Sequence, residues 1–481
     1  MTTDLLAPLD LAFWNIETER HPMHLGALGV FAADAPGAAR HAAELLTARA
    51  VAVPGLRMRI RGVWLPVGGA AREPVTDFDP ARHVQLACVA RDFHAAAGEL
   101  MERPLNRARP PWEAHVLPGE DGTSFAVLFK FHHALADGLH ALTLAAGVMD
   151  PPPARAPRAR ADVPAPRARG DVPAAHTRAT DDVAPATDDV ARAGDDAERP
   201  VRRGFGIPAL PDPRDLPNPL APVRRRIGAA ARALDIGVSV ARATWGVRST
   251  AALTSDATGT RRTAGAVIDI DQVHRIRKKT GGTVNDVLIA AVAGALRRWL
   301  EERGESGDGV GPRALIPVSR RRPRGAEPDG NRLSGYLIRL PVGERDPLER
   351  LRTVRGAMDR NKDAGAHRGA GAVALLADHV PPLGHRIGGP VVAQAARLLF
   401  DILVTSVPLP SLGLKLAGCP LTAVHPFAPL ARGQSLAVAV STYRGHVHYG
   451  LIADAEAVPD LDRLAAALHA EIAALGAAAQ A

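Results

Sequence analysis

Two periodicities run along this chain, and the clearest switch between them falls in residues 124–149. Residues 124–131 (Ser-Phe-Ala-Val-Leu-Phe-Lys-Phe) are almost continuously apolar, the pattern of a strand buried on both faces. Leu139, Leu142, Ala145, Ala146 and Met149 then recur at helical spacing, so a strand-to-helix junction is expected between them. Upstream, residues 23–31 and 86–89 read as strands, and 37–50 and 95–101 as helices. Downstream, 223–247 and 284–300 have helical character, while 264–270, 314–318, 333–342 and 403–407 are strand-like. Residues 436–441 and 446–454 flank Thr442-Tyr443-Arg444-Gly445 as a hairpin, and 461–475 close as a helix.

Between the two sets the pattern stops. Residues 150–204 contain no Leu, Ile, Met, Phe, Tyr or Trp and repeat short Ala/Pro/Arg/Asp units. Such a segment buries too little apolar surface to offset the entropy of ordering it, and a disordered, proline-stiffened linker is expected. The chain therefore divides into an N-terminal half (1–149), the linker (150–204) and a C-terminal half (205–481), each half mixing strands and helices.

At 481 residues and 46% hydrophobic composition the chain can bury a large core, although only 4% of it is aromatic. The 59 Lys and Arg exceed the 51 Asp and Glu only modestly, and no nucleic-acid-binding signature accompanies them. A basic face would instead suit acyl-CoA phosphates or anionic lipid headgroups. Cys88 and Cys419 have no metal-site or disulfide-framework spacing, which predicts a reduced, cytoplasmic setting without a zinc site. No signal peptide opens the sequence, and no uncharged run reaches the roughly 18 residues of a membrane span. Contact with a membrane would be peripheral, through amphipathic stretches such as 391–403.

The candidate chemistry sits at the junction, in His132-His133-Ala134-Leu135-Ala136-Asp137-Gly138. Histidine is the side chain suited to moving a proton near neutral pH. On a strand the two imidazoles point to opposite faces, His133 with Phe129 and Phe131 and His132 with Lys130. One can face a substrate while the other supports it. Asp137 is placed to fix the loop, and Gly138 to allow a backbone angle that other residues resist.

These residues and their flanking blocks resemble the bacterial wax ester synthase/acyl-CoA:diacylglycerol acyltransferase family. The resemblance starts at Pro8-Leu9-Asp10 and His21-Pro22-Met23-His24-Leu25-Gly26, which look like that family's opening strand region. It continues through Phe78-Asp79, His83-Val84, Arg103-Pro104-Leu105 and Arg109-Pro110-Pro111-Trp112-Glu113, where Pro111 departs from the usual leucine. In the second half it covers Thr283-Val284-Asn285-Asp286-Val287, Pro317-Val318-Ser319 and Gly330-Asn331-Arg332. It also covers Thr405-Ser406-Val407-Pro408-Leu409-Pro410, Gly433-Gln434-Ser435-Leu436 and His448-Tyr449-Gly450. Ser406 and Leu409 are departures that bear on the acceptor channel. Peptide-synthetase condensation domains share HHxxxDG, so the ordered flanking blocks carry the assignment.

The resemblance implies an α/β fold of two chloramphenicol-acetyltransferase-like halves, with mixed sheets flanked by helices and a channel between them. The family's C-terminal region would span about 310–475. The implied reaction moves a long-chain acyl group from acyl-CoA to diacylglycerol or a long-chain alcohol. His133 would be the general base, His132 and Asp137 its supports, and Gly138 and Asn285 substrate contacts. No metal or cofactor is called for. Asn285 has a structural alternative, because Thr283 and Asp286 have capping-box spacing. Two rival functions are a condensation-type enzyme using a carrier-bound acyl group and a catalytically silent relative that binds lipid or protein.

Overall fold

In the computed structural model the N-terminal half contributes the strands β1 (Asp4–Leu5), β2 (His24–Ala32), β3 (Met58–Gly62), β4 (Ala70–Pro74), β5 (Val84–Leu86), β6 (Trp112–Pro118) and β7 (Ser124–His132). Between them come the helices α1 (Pro8–Ile16), α2 (Ala38–Ala50) and α3 (Phe93–Glu102), and after them α4 (Gly138–Ala146). The C-terminal half supplies β8 (Arg261–Asp269), α5 (Ile270–Thr280), α6 (Val284–Glu302), β9 (Arg313–Ser319), β10 (Leu333–Arg339) and α7 (Pro347–Ala364). It ends with β11 (Ile402–Ser406), β12 (Lys415–Leu416), β13 (Cys419–Phe427), β14 (Leu436–Tyr443), β15 (His446–Asp454) and α8 (Leu461–Ala478). The described residues are 4–151, 249–254, 258–319, 333–364, 400–409 and 413–480. All but the first two residues of the 150–204 linker, the 223–247 helix, the Gly330-Asn331-Arg332 block and 391–399 of the amphipathic stretch lie outside them.

The apolar run of β7 is the centre of a six-stranded sheet ordered β12-β13-β2-β7-β6-β5. Its odd-numbered residues, Phe125, Val127, Phe129 and Phe131, face one core cluster, and Ala126 and Leu128 face another. Burial on both faces explains why the run does not alternate in polarity. A small antiparallel sheet, β1-β4-β3, packs beside it through Ile60 and Ala70.

The second six-stranded sheet, β10-β9-β11-β14-β15-β8, mixes parallel pairing at β11 with antiparallel pairing elsewhere. Helix α6 lies in its core and is buried from Asp286 continuously to Arg297, as a helix covered on all sides must be. Gly294 is where α8 crosses it, for a Cβ there would collide with Glu471. Glu471 is itself buried, 3.0 Å from Arg298 Nε and paired with the buried Arg350.

The halves are joined by β13. It belongs to the C-terminal half in sequence but pairs antiparallel with β2 from Phe427↔Gly26 to Leu421↔Phe31. Its other side lies on β15: a Cβ on Gly450 would meet the Pro426 carbonyl oxygen at 1.9 Å. Arg261 of β8 adds a second tie, donating from its backbone to Glu102 (2.9 Å) and from its guanidinium to the Arg20 carbonyl (2.7 Å).

The α/β class and most expected elements are present, with local differences. Pro8-Leu9-Asp10 opens a helix rather than a strand region: Pro8 occupies the first helical position, where its fixed φ and missing N–H cost nothing. The strand expected at 86–89 ends at Leu86, on a sheet edge where Val89 is exposed. Ile270 starts α5 rather than ending β8, because Asp269 caps the Asp271 N–H at 2.8 Å. Strand β10 stops at Arg339, two residues before Pro341.

Removing one side of a buried ion pair leaves an uncompensated charge. Glu471→Ala is expected to lower the unfolding free energy by about 3–5 kcal/mol through the stranded Arg350. Arg298→Ala, at a partly exposed partner, should cost about 1 kcal/mol or less. Urea denaturation of both variants measures the contrast, and equal losses would contradict it.

Candidate active site

Strand β7 ends at His132, and the chain turns sharply there. The His132 carbonyl accepts from Leu135 N–H (2.8 Å) and Ala136 N–H (3.3 Å). The wholly buried imidazole closes the same turn, with Nδ1 accepting from the Ala134 N–H at 3.0 Å. An accepting Nδ1 places the ring proton on Nε2, which lies 3.2 Å from Glu17 Oε2. His132 therefore supports the loop.

His133 begins the turn, its N–H donating to the Met23 carbonyl at 2.8 Å. Its ring stacks on Phe13, with centroids 4.1 Å apart and planes 17° from parallel. Part of the residue stays exposed, but dense packing pushes its pKa down to about 4, against a hydrogen bond to its own carbonyl. The imidazole is neutral at physiological pH.

Helix α1 clamps both histidines. Asp10, Phe13, Trp14 and Glu17 follow one another at helical spacing, so one face of α1 and its cap meets the motif. Asp10 is buried and held by Arg72 at 2.7 Å, and the same guanidinium nitrogen donates to the Ala134 carbonyl at 3.0 Å. Trp14 meets the His132 ring edge-on at 4.9 Å, with Arg107 stacked 3.6 Å over its own ring. Burial raises the Glu17 carboxyl, but His132, the Met23 N–H and Arg107 outweigh it and hold the pKa low. This anionic Glu17, held against the histidine loop, is a neighbour of the candidate site that sequence reasoning missed. Its signal was the 10/13/14/17 spacing after a helix-starting proline.

Asp137 is the N-cap of α4 and accepts from the His140 N–H at 2.8 Å. This cap ties the end of the loop to the start of α4. Gly138 does not have the special backbone angle expected of it, for its φ is not positive. What it supplies is space: a Cβ there would lie 3.1 Å from Val407 Cγ2. Gly138 thereby lets the Thr405-Ser406-Val407 block of the other half touch the histidine loop.

Asn285 is half-buried at the second position of α6, inside the capping box formed by Thr283 and Asp286. Among the described residues no hydrogen bond or ion pair joins its side chain to the histidine loop. Ser441 and His448 were not anticipated either. They are cross-strand partners on β14 and β15, in the row that continues from Val407. Both are buried, and Ser441 Oγ and both His448 ring nitrogens have no well-formed hydrogen bond among the described residues. Burial pushes His448 down to about 4.

The flanking blocks make the floor under the loop. Trp112 Nε1 donates to the Leu56 carbonyl at 2.7 Å and its ring stacks on His83. Glu113 sits 3.1 Å from His115 and 3.5 Å from Lys130. The buried Lys130 ammonium donates to the carbonyls of Leu100 (2.8 Å) and Arg103 (2.7 Å). His24, opposite His132 across the sheet, is pushed well below the ordinary imidazole range by burial and then by Lys130.

A neutral imidazole at a strand-to-helix turn, backed by a second histidine and touched by the other half, also has a matching family description. The wax ester synthase/diacylglycerol acyltransferase catalytic domain matches residues 6–288, and the C-terminal domain of the same family matches 329–476. The chain belongs to the wax ester synthase/diacylglycerol acyltransferase family. It is 29% identical over 487 residues to "Probable diacyglycerol O-acyltransferase tgs1" of Mycobacterium tuberculosis, across 98% of this chain and 95% of that one. Its fold matches a wax ester synthase/diacylglycerol acyltransferase from Marinobacter aquaeolei VT8, with a TM-score of 0.66 and 20% identity over 99% of this chain and 100% of that one. The trichothecene 15-O-acetyltransferase TRI3 of Fusarium sporotrichioides shares the fold at a TM-score of 0.56 and 10% identity, over 98% and 94% of the two chains. Membership makes this chain an acyltransferase, with an alcohol as its acceptor.

Because Asp137 acts through its cap, charge is not what the loop needs from it. Asp137→Asn should keep most of the activity and stability, whereas Asp137→Ala should lose about 1 kcal/mol. Thermal melts together with turnover in both variants test this; an inactive but fully stable Asn variant would show a role beyond capping.

Proposed function

We propose that this acyltransferase moves a long-chain acyl group from acyl-CoA to diacylglycerol, forming triacylglycerol, and to long-chain alcohols, forming wax esters. The observation that carries the reading is the neutral, Phe13-stacked imidazole of His133 at the turn that ends β7. The names of the family and its mycobacterial relatives support these substrates. As the acceptor oxygen attacks the thioester carbonyl, the His133 imidazole takes the hydroxyl proton. The tetrahedral intermediate collapses with cleavage of the carbon–sulfur bond, and the same proton passes to the departing CoA sulfur. The products are an ester and CoA, and no covalent enzyme intermediate forms. His132 and Glu17 hold the turn that aims His133.

A water-insoluble acceptor implies that the protein works at a lipid interface, as a peripheral rather than a spanning protein. Among the described residues no helix is long and apolar enough to cross a membrane.

The test offers purified protein palmitoyl-CoA with diacylglycerol and with hexadecanol in parallel, following both esters and released CoA without any carrier protein. Turnover with free acyl-CoA excludes the condensation-type alternative. His133→Ala should lower kcat by about 10²–10⁴-fold in a folded protein, and unchanged ester formation would remove the mechanism.

The acid limb of the kcat/KM profile is a second check. Protonated His133 cannot accept a proton, so activity is lost only as pH falls through about 4. The enzyme should remain largely active at pH 5, where an ordinary imidazole is mostly protonated. An acid limb near 6.5 would contradict this.

A further inference from the structure

The β3–β4 hairpin ends in a tip of unusual composition. Val63-Trp64-Leu65-Pro66-Val67 connects the strands before Gly68 and Gly69, and Trp64, Leu65 and Val67 are 88%, 69% and 56% exposed. A single exposed apolar residue is ordinary, but a contiguous tip led by a tryptophan marks an interaction surface. The tip is also firmly built. Val63 N–H donates to the Gly69 carbonyl (3.0 Å), Gly69 N–H donates to the Pro66 carbonyl (2.8 Å), and Ile60, Ala70 and Ala71 anchor the strands in the core.

The charges beside the tip select among partners. Arg59 and Arg61 alternate onto the outer face of β3, against the single carboxylate of Glu73, which lies 2.6 Å from Arg59 and 3.9 Å from Arg61. No acidic residue occurs between Arg59 and Arg72, so the face next to the apolar tip is net basic. Tryptophan, aliphatic side chains and adjacent arginines together fit the boundary between acyl chains and anionic headgroups.

We propose that the β3–β4 hairpin docks the enzyme on anionic phospholipid membranes, with Trp64, Leu65 and Val67 inserted and Arg59 and Arg61 at the headgroups. The role of this contact in catalysis rests on the lipid-acceptor reading above. The same hairpin reaches the active site, since Arg72 on β4 holds both Asp10 and the Ala134 carbonyl. At most roughly 17 Å of chain separates Val67 from Arg72, since five residues fully extended span no more. Docking therefore sets the histidine loop close to the surface that holds a water-insoluble acceptor.

Flotation of the full chain with phosphatidylcholine vesicles, with and without phosphatidylglycerol, tests the proposal. A Trp64→Ser/Leu65→Ser/Val67→Ser variant is compared with the unaltered protein. Binding should increase with phosphatidylglycerol and weaken with salt, and the variant's partition should fall by about tenfold or more. Its melting temperature, and its CoA release from a short-chain acyl-CoA with a water-soluble alcohol, should be unchanged. Equal vesicle binding by the two proteins, or none by the unaltered one, would overturn the docking assignment. Absence of CoA release from every acyl-CoA and alcohol pair would instead sink the acyltransferase reading, leaving the flotation result to decide the hairpin.

Discussion

Strand β13 is the joint on which this architecture turns. One edge of it hydrogen-bonds along β2, while its backbone rests on β15 at a position where only glycine fits. A strand shared in this way cannot be satisfied by either half alone, because its exposed backbone groups need both the ladder and the cover. The seam it creates brings Val407 against Gly138 and lays the small residues of the second sheet toward the first. The candidate site is thus a property of the seam: the histidine loop comes from one half and the wall beside it from the other.

The seam carries many buried polar groups, and the balance between them shapes the chemistry. Lys130, His24, His132, Glu113 and Glu17 share the region under the histidine loop, and each is held by carbonyls, backbone N–H groups or an opposite charge. Desolvation there works against charge on imidazoles more than on the carboxylates, which have cationic neighbours. The outcome is a neutral His133 beside an anionic Glu17 that lies against His132. Aromatic stacking from Phe13 adds direction, since a stacked ring is confined to one plane.

The exposed hairpin and the histidine loop are connected through a single guanidinium. Arg72 lies on the strand that leaves the exposed tip, and it grips the clamp helix and the loop carbonyl together. This links the place where an insoluble acceptor would be met to the place where its hydroxyl would be deprotonated.

Local periodicity and chain punctuation were enough to determine the β7–α4 junction, the capping box of α6, the closing hairpin and the double histidine with its supporting Asp137. Each of these is encoded within a few consecutive residues, where side-chain period, cap chemistry and turn residues act directly on the backbone. The family resemblance extended this to the α/β class and the acyl-transfer chemistry. Tertiary structure alone decided that Asp10, Phe13, Trp14 and Glu17 clamp the motif, and that β13 crosses into the other sheet. It also decided that Gly138 matters for space rather than backbone angle, and that Asn285 sits inside the capping box that starts α6. Those facts depend on which distant surfaces meet, and long-range packing leaves no period in the sequence. The exposure of Trp64 is the same kind of fact. A tryptophan between strands reads alike whether buried or bare, until the fold shows it 88% exposed.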